Sequence, residues 1–257
     1  GDPTMPFPTP VPISIPEVLA FLAILFAMFV RTMTGFGSAL ISLPLLSLIF
    51  GAKFAIPFIL TYECLIDVMI LLRDRFAARS ELRRATPLLI GGVIGVLLGT
   101  EVLILSTEKL LRIIIGISLI VFSLFLLWNV KLKIEGGRTS SALAGLLGGF
   151  LCGSVGLPGP PMALILSSQG LAKQAFRRSI VLFLTIIDLI TFIYFIFVGL
   201  FTFDMLIQGL RLIPALILGF LLGDFAFREC NEVRFRKIVM IIIIISGMLS
   251  ISSGISI

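Results

Sequence analysis

Four charged side chains inside apolar sequence are the residues best placed to do chemistry in this chain: Arg31, Glu63, Asp67 and Asp188. Ionisable groups are costly in hydrocarbon and by default mark function there. Arg31 stands four residues before Gly35, deep in an apolar arm. Its guanidinium offers a planar fork of donors that suits the oxygens of a sulfonate, sulfite or carboxylate. The competing reading is a structural ion pair with a buried acid such as Asp67 or Glu63. Those two carboxylates and Asp188 are candidates for proton coupling, because desolvation disfavours the charged form of a carboxylate. Neutral hydrogen-bonding groups in a core would look the same in sequence.

Two irregular stretches must position these groups, Thr34-Gly35-Phe36-Gly37-Ser38 and the run from Gly153 to Pro161. Within a bilayer, irregular backbone is tolerated only where protein buries it or a wet cavity meets it, so the two breaks are expected to mark a cavity. A new apolar helix starts after each one, near Gly37 to Ala39 and near Gly159 to Met162. Half-helix N-termini aim unpaired N–H groups at anions. The expected anion site therefore draws on Arg31, Thr34, Gly35, Phe36, Gly37 and Ser38 from the first break. From the second it draws on Ser154, Gly156, Leu157 and Gly159, with Gln169 and Arg177 further along. Evenly spaced glycines elsewhere, Gly91/Gly95/Gly99, Gly145/Gly149/Gly153 and Gly219/Gly223, read as close helix packing.

Of the 257 residues, 58% are hydrophobic and only 13% charged, and the mean hydropathy is +1.19. That composition places the chain among polytopic membrane proteins. The longest polar connection, Arg73 to Thr86, is too short for a nucleotide-binding or soluble catalytic domain, and no GxxxxGK[ST] segment occurs. There is no histidine, and Cys64, Cys152 and Cys230 are widely separated, so neither a metal site nor a CxxC redox pair is expected. No cofactor and no nucleic-acid partner is implied. The cysteines read as small buried hydrophobes.

Ten apolar segments fall in two sets of five, at about 17–33, 36–50, 54–72, 86–105, 109–129, then 141–153, 157–168, 176–199, 206–227 and 236–255. Six read as full spans and four as shorter pieces. Residues 1–16 form a proline-rich extended lead with no signal-peptide pattern, in which Gly1 to Thr4 read as the remnant of a cleaved tag. The halves are 17–130 and 131–257, in one integral membrane domain. Sliding the chain on itself by 121 residues puts Gly35 on Gly156 and Asp67 on Asp188; a shift of 124 puts Gly95 and Gly99 on Gly219 and Gly223. If each break is the tip of a hairpin, fifteen Lys and Arg share one side and four the other. Positive residues favour the cytoplasm, so the expectation is two inverted repeats. Each is one glycine-broken hairpin, or two short spans, plus three transmembrane helices, with both termini outside.

The segment from Thr34 to Leu46 (TGFGSALISLPLL) resembles the first signature of the TauE/SafE sulfite exporter family, and Gly156-Leu157-Pro158-Gly159-Pro160-Pro161 followed by Lys173-Gln174-Ala175-Phe176-Arg177 resembles its second. The resemblance covers essentially the whole chain. It implies a multi-pass exporter in the bacterial inner membrane that handles sulfite, a sulfonate such as sulfoacetate, or a related carboxylate. Arg31 and the Leu157-Pro158 step depart from the family's usual pattern. The expected function is a secondary transporter working by alternating access and coupled to protons, with the anion, protons and membrane lipids as partners and a homodimer left open. An anion channel would use the same site. A membrane-embedded enzyme or thiol-redox protein lacks the necessary nucleophile, base or cysteine pair.

Overall fold

The computed structural model describes residues 15–73, 79–127, 138–168, 173–229 and 232–255. Ten helices occupy them: α1 (Ile15–Thr34), α2 (Ser38–Phe50), α3 (Ala52–Arg73), α4 (Arg79–Leu105), α5 (Glu108–Leu127), α6 (Arg138–Val155), α7 (Gly159–Ser168), α8 (Lys173–Phe197), α9 (Phe203–Glu229) and α10 (Glu232–Ile255). Each apolar segment read from the sequence carries one of them. No strand occurs among the described residues. Apolar runs in a membrane must satisfy their own backbone hydrogen bonds, and the helix is the open-chain way to do so.

Among the described residues, five helices are long and apolar enough to cross a membrane: Ile15–Thr34, Ala52–Arg73, Thr86–Leu105, Phe176–Phe197 and Phe203–Ala226. Ser38–Phe50, Thr139–Val155 and Ile243–Ile255 are shorter apolar helices. Of the six segments read from sequence as full spans, four are among those five. α5 opens with Glu108, Lys109 and Arg112, whose charges take up its first turns, and α10 contributes only the shorter piece Ile243–Ile255. α1, read as a hairpin arm, is long enough to span. Pro16 sits in the first turn of α1 and Pro160 and Pro161 in that of α7, where no backbone donor is needed.

The helices pack in a pattern that exchanges when the first five are matched in order with the second five. α1 lies along α9 as α6 lies along α4; α3 packs on α8 and α5 on α10; α1 and α2 touch as α6 and α7 do. Glycines set the closest of these contacts. On α4 and α6 they are reciprocal: a Cβ at Gly91, Gly95 or Gly99 would fall 1.9 to 2.2 Å from a carbonyl oxygen of α6, and one at Gly145, Gly149 or Gly153 would fall 1.9 to 2.4 Å from one of α4. On α1 and α9 only α9 contributes them, with Gly219 and Gly223 at 2.5 and 2.6 Å from carbonyl oxygens of Leu25 and Phe29. Backbone-to-backbone approach of this kind is how apolar helices associate where lipid is as apolar as leucine. Outward-facing Leu, Ile, Val and Phe of α1, α4, α8 and α9 stay exposed for lipid, whereas Arg31, Glu63, Asp67, Arg177 and Asp188 are buried.

Candidate functional site

The first break starts where α1 runs out at Thr34. Gly35 donates its N–H to the Arg31 carbonyl at 2.7 Å, keeping the helical bond, but its φ of +84° turns the chain out of the helix. Phe36 N–H donates to Thr34 Oγ1 at 3.3 Å, closing the bend locally. Gly37, also left-handed with φ 97°, precedes Ser38, and no side chain caps the N-terminus of α2. The second break repeats the opening step. Gly156 N–H donates to the Cys152 carbonyl at 3.0 Å with φ +67°, and Leu157 N–H reaches the Leu151 carbonyl at 3.0 Å. The irregular residues 35–37 and 156–158 are all buried, so both segments are enclosed in protein.

The two breaks meet. A Cβ at Gly159, where α7 starts, would lie 3.2 Å from Phe36 Cβ, and one at Gly35 would lie 3.1 Å from Arg177 Cγ. Gly156 faces Ile56 and Leu43 at 3.6 and 4.0 Å. Thus Gly35, Phe36, Gly159 and Arg177, distant in sequence, share one place. Ser154 belongs elsewhere: its hydroxyl donates to the Phe150 carbonyl at 2.6 Å, and its backbone packs against Gly99 of α4. Gln169 lies outside the described residues.

Arg31 forms the centre of a cluster of ionisable groups one turn before Gly35. Its Nε donates to Asp67 Oδ1 at 2.9 Å and its Nη2 to Asp67 Oδ2 at 2.7 Å, a bidentate fork. Nη2 also reaches Asp188 Oδ2 at 3.2 Å, and Nη1 lies 2.5 Å from Glu63 Oε2. Glu63 Oε1 accepts a hydrogen bond from the hydroxyl of Ser38, the first residue of α2. Asp188 Oδ1 accepts from the Cys152 thiol at 3.3 Å, whose sulfur is also 3.3 Å from Thr191 Oγ1. The side chains of Arg31 and the three acids are no more than 3% exposed. Five helices, α1, α2, α3, α6 and α8, therefore converge on one guanidinium and three carboxyl groups. Buried charge must be balanced, and with all three acids ionised the cluster would carry two net negative charges. Two protons would neutralise it.

The pairing with acids that the sequence offered as one reading of Arg31 is present, with Asp188 added. Cys152 is a residue that sequence reasoning passed over. It stands 121 residues after Arg31, the offset that relates Gly35 to Gly156 and Asp67 to Asp188, so Arg31 meets Asp67 and Cys152 meets Asp188 at the same separation of 36 residues. The offset was the available signal; a thiol in apolar sequence gave none. No group of three His, Cys, Asp or Glu among the described residues is arranged to hold a metal ion.

A cavity of about 1040 Å³ opens at one end of the molecule between the starts of α1 and α9, lined by Pro16, Glu17, Phe21, Phe50, Phe58, Asp204, Gln208 and Arg211. Pro16 begins α1 and Phe50 ends α2, so the arms of the first hairpin enter and leave at that same end. Phe50, Phe54, Phe58 and Tyr62 form a ladder of rings, with centroids 5.4, 5.2 and 5.4 Å apart, from this cavity to the residue next to Glu63. Tyr62 is tethered through its hydroxyl to the Gly209 carbonyl at 2.7 Å.

Long apolar helices around a buried core of ionisable groups and two enclosed backbone breaks define a multi-pass membrane protein. The family model described as sulfite exporter TauE/SafE matches residues 20–249, and the chain belongs to that family. Its members are transporters, not enzymes, and membership implies export of sulfite or an organosulfur anion. No curated protein and no solved structure matches the chain.

Proposed function

We propose that the protein exports a small anion, such as sulfite, a C2 sulfonate like sulfoacetate or a related carboxylate, from the bacterial cytoplasm by alternating access coupled to protons. The observation that carries this reading is the meeting of the two breaks one turn from the Arg31 cluster. In the proposed site the anion lies at the start of α2 and α7, where N–H groups at helix N-termini favour negative charge. Gly35, Gly37, Gly156 and Gly159 let the backbone approach it, Thr34, Phe36 and Leu157 shape the tips, and the Arg177 stem packs on Gly35. Glu63, Asp67 and Asp188 exchange the protons around the fixed charge of Arg31. The exchanging packing of the two sets of five helices supports a two-fold repeat, and the fifteen-to-four division of Lys and Arg supports its inversion and periplasmic termini.

Proteoliposomes test the carrier reading. Sulfite or sulfoacetate on the far side should accelerate exchange of the labelled anion; flux that simply follows the electrical gradient, with no such acceleration, would make the protein a channel. Orientation is tested by a single cysteine at Ala78 in a variant without native cysteines. It should resist an impermeant thiol reagent in intact cells, and labelling from outside would overturn the inverted arrangement.

A further inference from the structure

Resting on the anion-binding reading above, we infer that Glu63 is a resident stand-in for the transported anion: in the empty protein its carboxylate occupies donors that the anion takes over once Glu63 is protonated. Of the three acids, Glu63 alone touches both the cluster and a break. One oxygen lies 2.5 Å from Arg31 Nη1, and the other accepts the hydroxyl of Ser38, which opens α2 directly after left-handed Gly37. The start of α2 has no side-chain cap of its own, and a carboxylate beside a helix N-terminus is stabilised there as any anion would be. Two negative charges cannot share these donors in a buried setting, so a proton on Glu63 and an anion at the break favour each other.

The other groups facing Glu63 are held differently. Asp67, on the same helix, has both oxygens gripped by Arg31 at 2.9 and 2.7 Å. Asp188 of α8 meets Arg31 at 3.2 Å and on its other side the Cys152 thiol of α6 at 3.3 Å. Cys64 is the neighbour of Glu63 on α3. None of these three is hydrogen-bonded to residues of either break, so a proton on any of them frees no donor at the start of α2.

The test is calorimetric binding of sulfoacetate to the purified full chain across neutral pH, where both of its acid groups stay ionised. The parent should take up about one proton on binding, so that affinity rises up to about tenfold for each unit that the pH falls. Glu63→Gln, neutral at every pH, should bind about as tightly at high pH as the parent does at low pH, and the proton uptake should vanish. A gain of affinity is what a merely structural role would not produce. Ser38→Ala keeps all four charges but removes a shared donor; it should weaken binding about tenfold and leave the proton uptake in place. The inference is overturned if the parent binds without proton uptake, if Glu63→Gln keeps the parent's pH slope, or if Asp67→Asn or Asp188→Asn abolishes the slope instead. Should Glu63→Gln not fold, the proton counts of the parent, Asp67→Asn and Asp188→Asn still decide. If the parent binds neither sulfoacetate nor sulfite at any pH, the proposed anion site itself fails.

Discussion

The two breaks are alike in backbone and unlike in chemistry. Each follows a helix that ends in a left-handed glycine bonded to the carbonyl four residues back, Gly35 to Arg31 and Gly156 to Cys152. Each places the residue at that carbonyl against an aspartate 36 positions on. In the first half that residue is a guanidinium with three acids around it; in the second it is a thiol shared between Asp188 and Thr191. The scaffold is repeated and the charge is not. A backbone turn needs only glycine and a hydrogen bond, which either half can supply at little cost. A buried cation must be matched by acids from several helices, and one such centre already uses Asp67, Asp188 and Glu63. A second arginine at 152 would find Asp188 already engaged.

The sharpest way to break that comparison is to remove the two side chains in turn. Arg31→Gln leaves three buried acids without their cation, and breaking a buried pair in this way costs about 3 to 5 kcal/mol. Protons from solution can replace the lost charge, so the variant binds more protons when folded than the parent does. By linkage its deficit should shrink as pH falls and grow as pH rises. Cys152→Ala removes two weak thiol contacts, to Asp188 and Thr191, and should cost roughly 1 kcal/mol, with little pH dependence. Thermal unfolding of purified protein over a pH series checks both. Equal losses for the two variants would mean that the charge asymmetry does not organise the core.

How far this centre can be read from sequence follows from what each residue signals. The ten apolar segments are legible because hydropathy and length alone specify a helix in lipid. Both breaks are legible because glycine clusters interrupt those segments. Arg31 announces itself as the one cation inside an arm, and Asp67 and Glu63, one turn apart on α3, are natural partners. Asp188 is 157 positions from Arg31, and only the packing of α8 on α3 brings it in. The ring ladder from Phe50 to Tyr62 has helical spacing that signals packing in any buried helix, so its position at the base of a cavity is a tertiary fact.

A second comparison sets α4 with α6 beside α1 with α9, the pairs that correspond in helix order. Gly149 on α6 meets the Gly92 carbonyl with room for no Cβ, at 2.0 Å, in a contact lined with glycine on both helices; Gly223 on α9 meets the Phe29 carbonyl at 2.6 Å, against a helix that offers none. Alanine at 149 must push α6 away from α4 along its length. The cost should reach the upper part of the range for overpacking, about 3 kcal/mol. Alanine at 223 needs a smaller shift of α1 and should cost about 1 to 2 kcal/mol. Unfolding in mild detergent measures both, and a reversed order would show that α1 and α9 form the more rigid pair.

The smallest effect separates the breaks themselves. Gly35 and Gly156 both have positive φ, so alanine at either pays roughly 1 to 2 kcal/mol for a left-handed conformation. The surroundings then differ. A methyl at 35 would press on Arg177 and Ile180 at 3.1 Å each, whereas one at 156 would meet Ile56 at 3.6 Å, an ordinary contact. The backbone terms cancel in the difference between the two variants, leaving the crowding at Gly35, about 1 kcal/mol. Because that crowding falls on the stem of Arg177, Gly35→Ala should also weaken anion binding more than Gly156→Ala does. Calorimetry with sulfoacetate on both variants provides the check: equal affinities would separate Arg177 from the anion and leave the start of α2 as the principal contact.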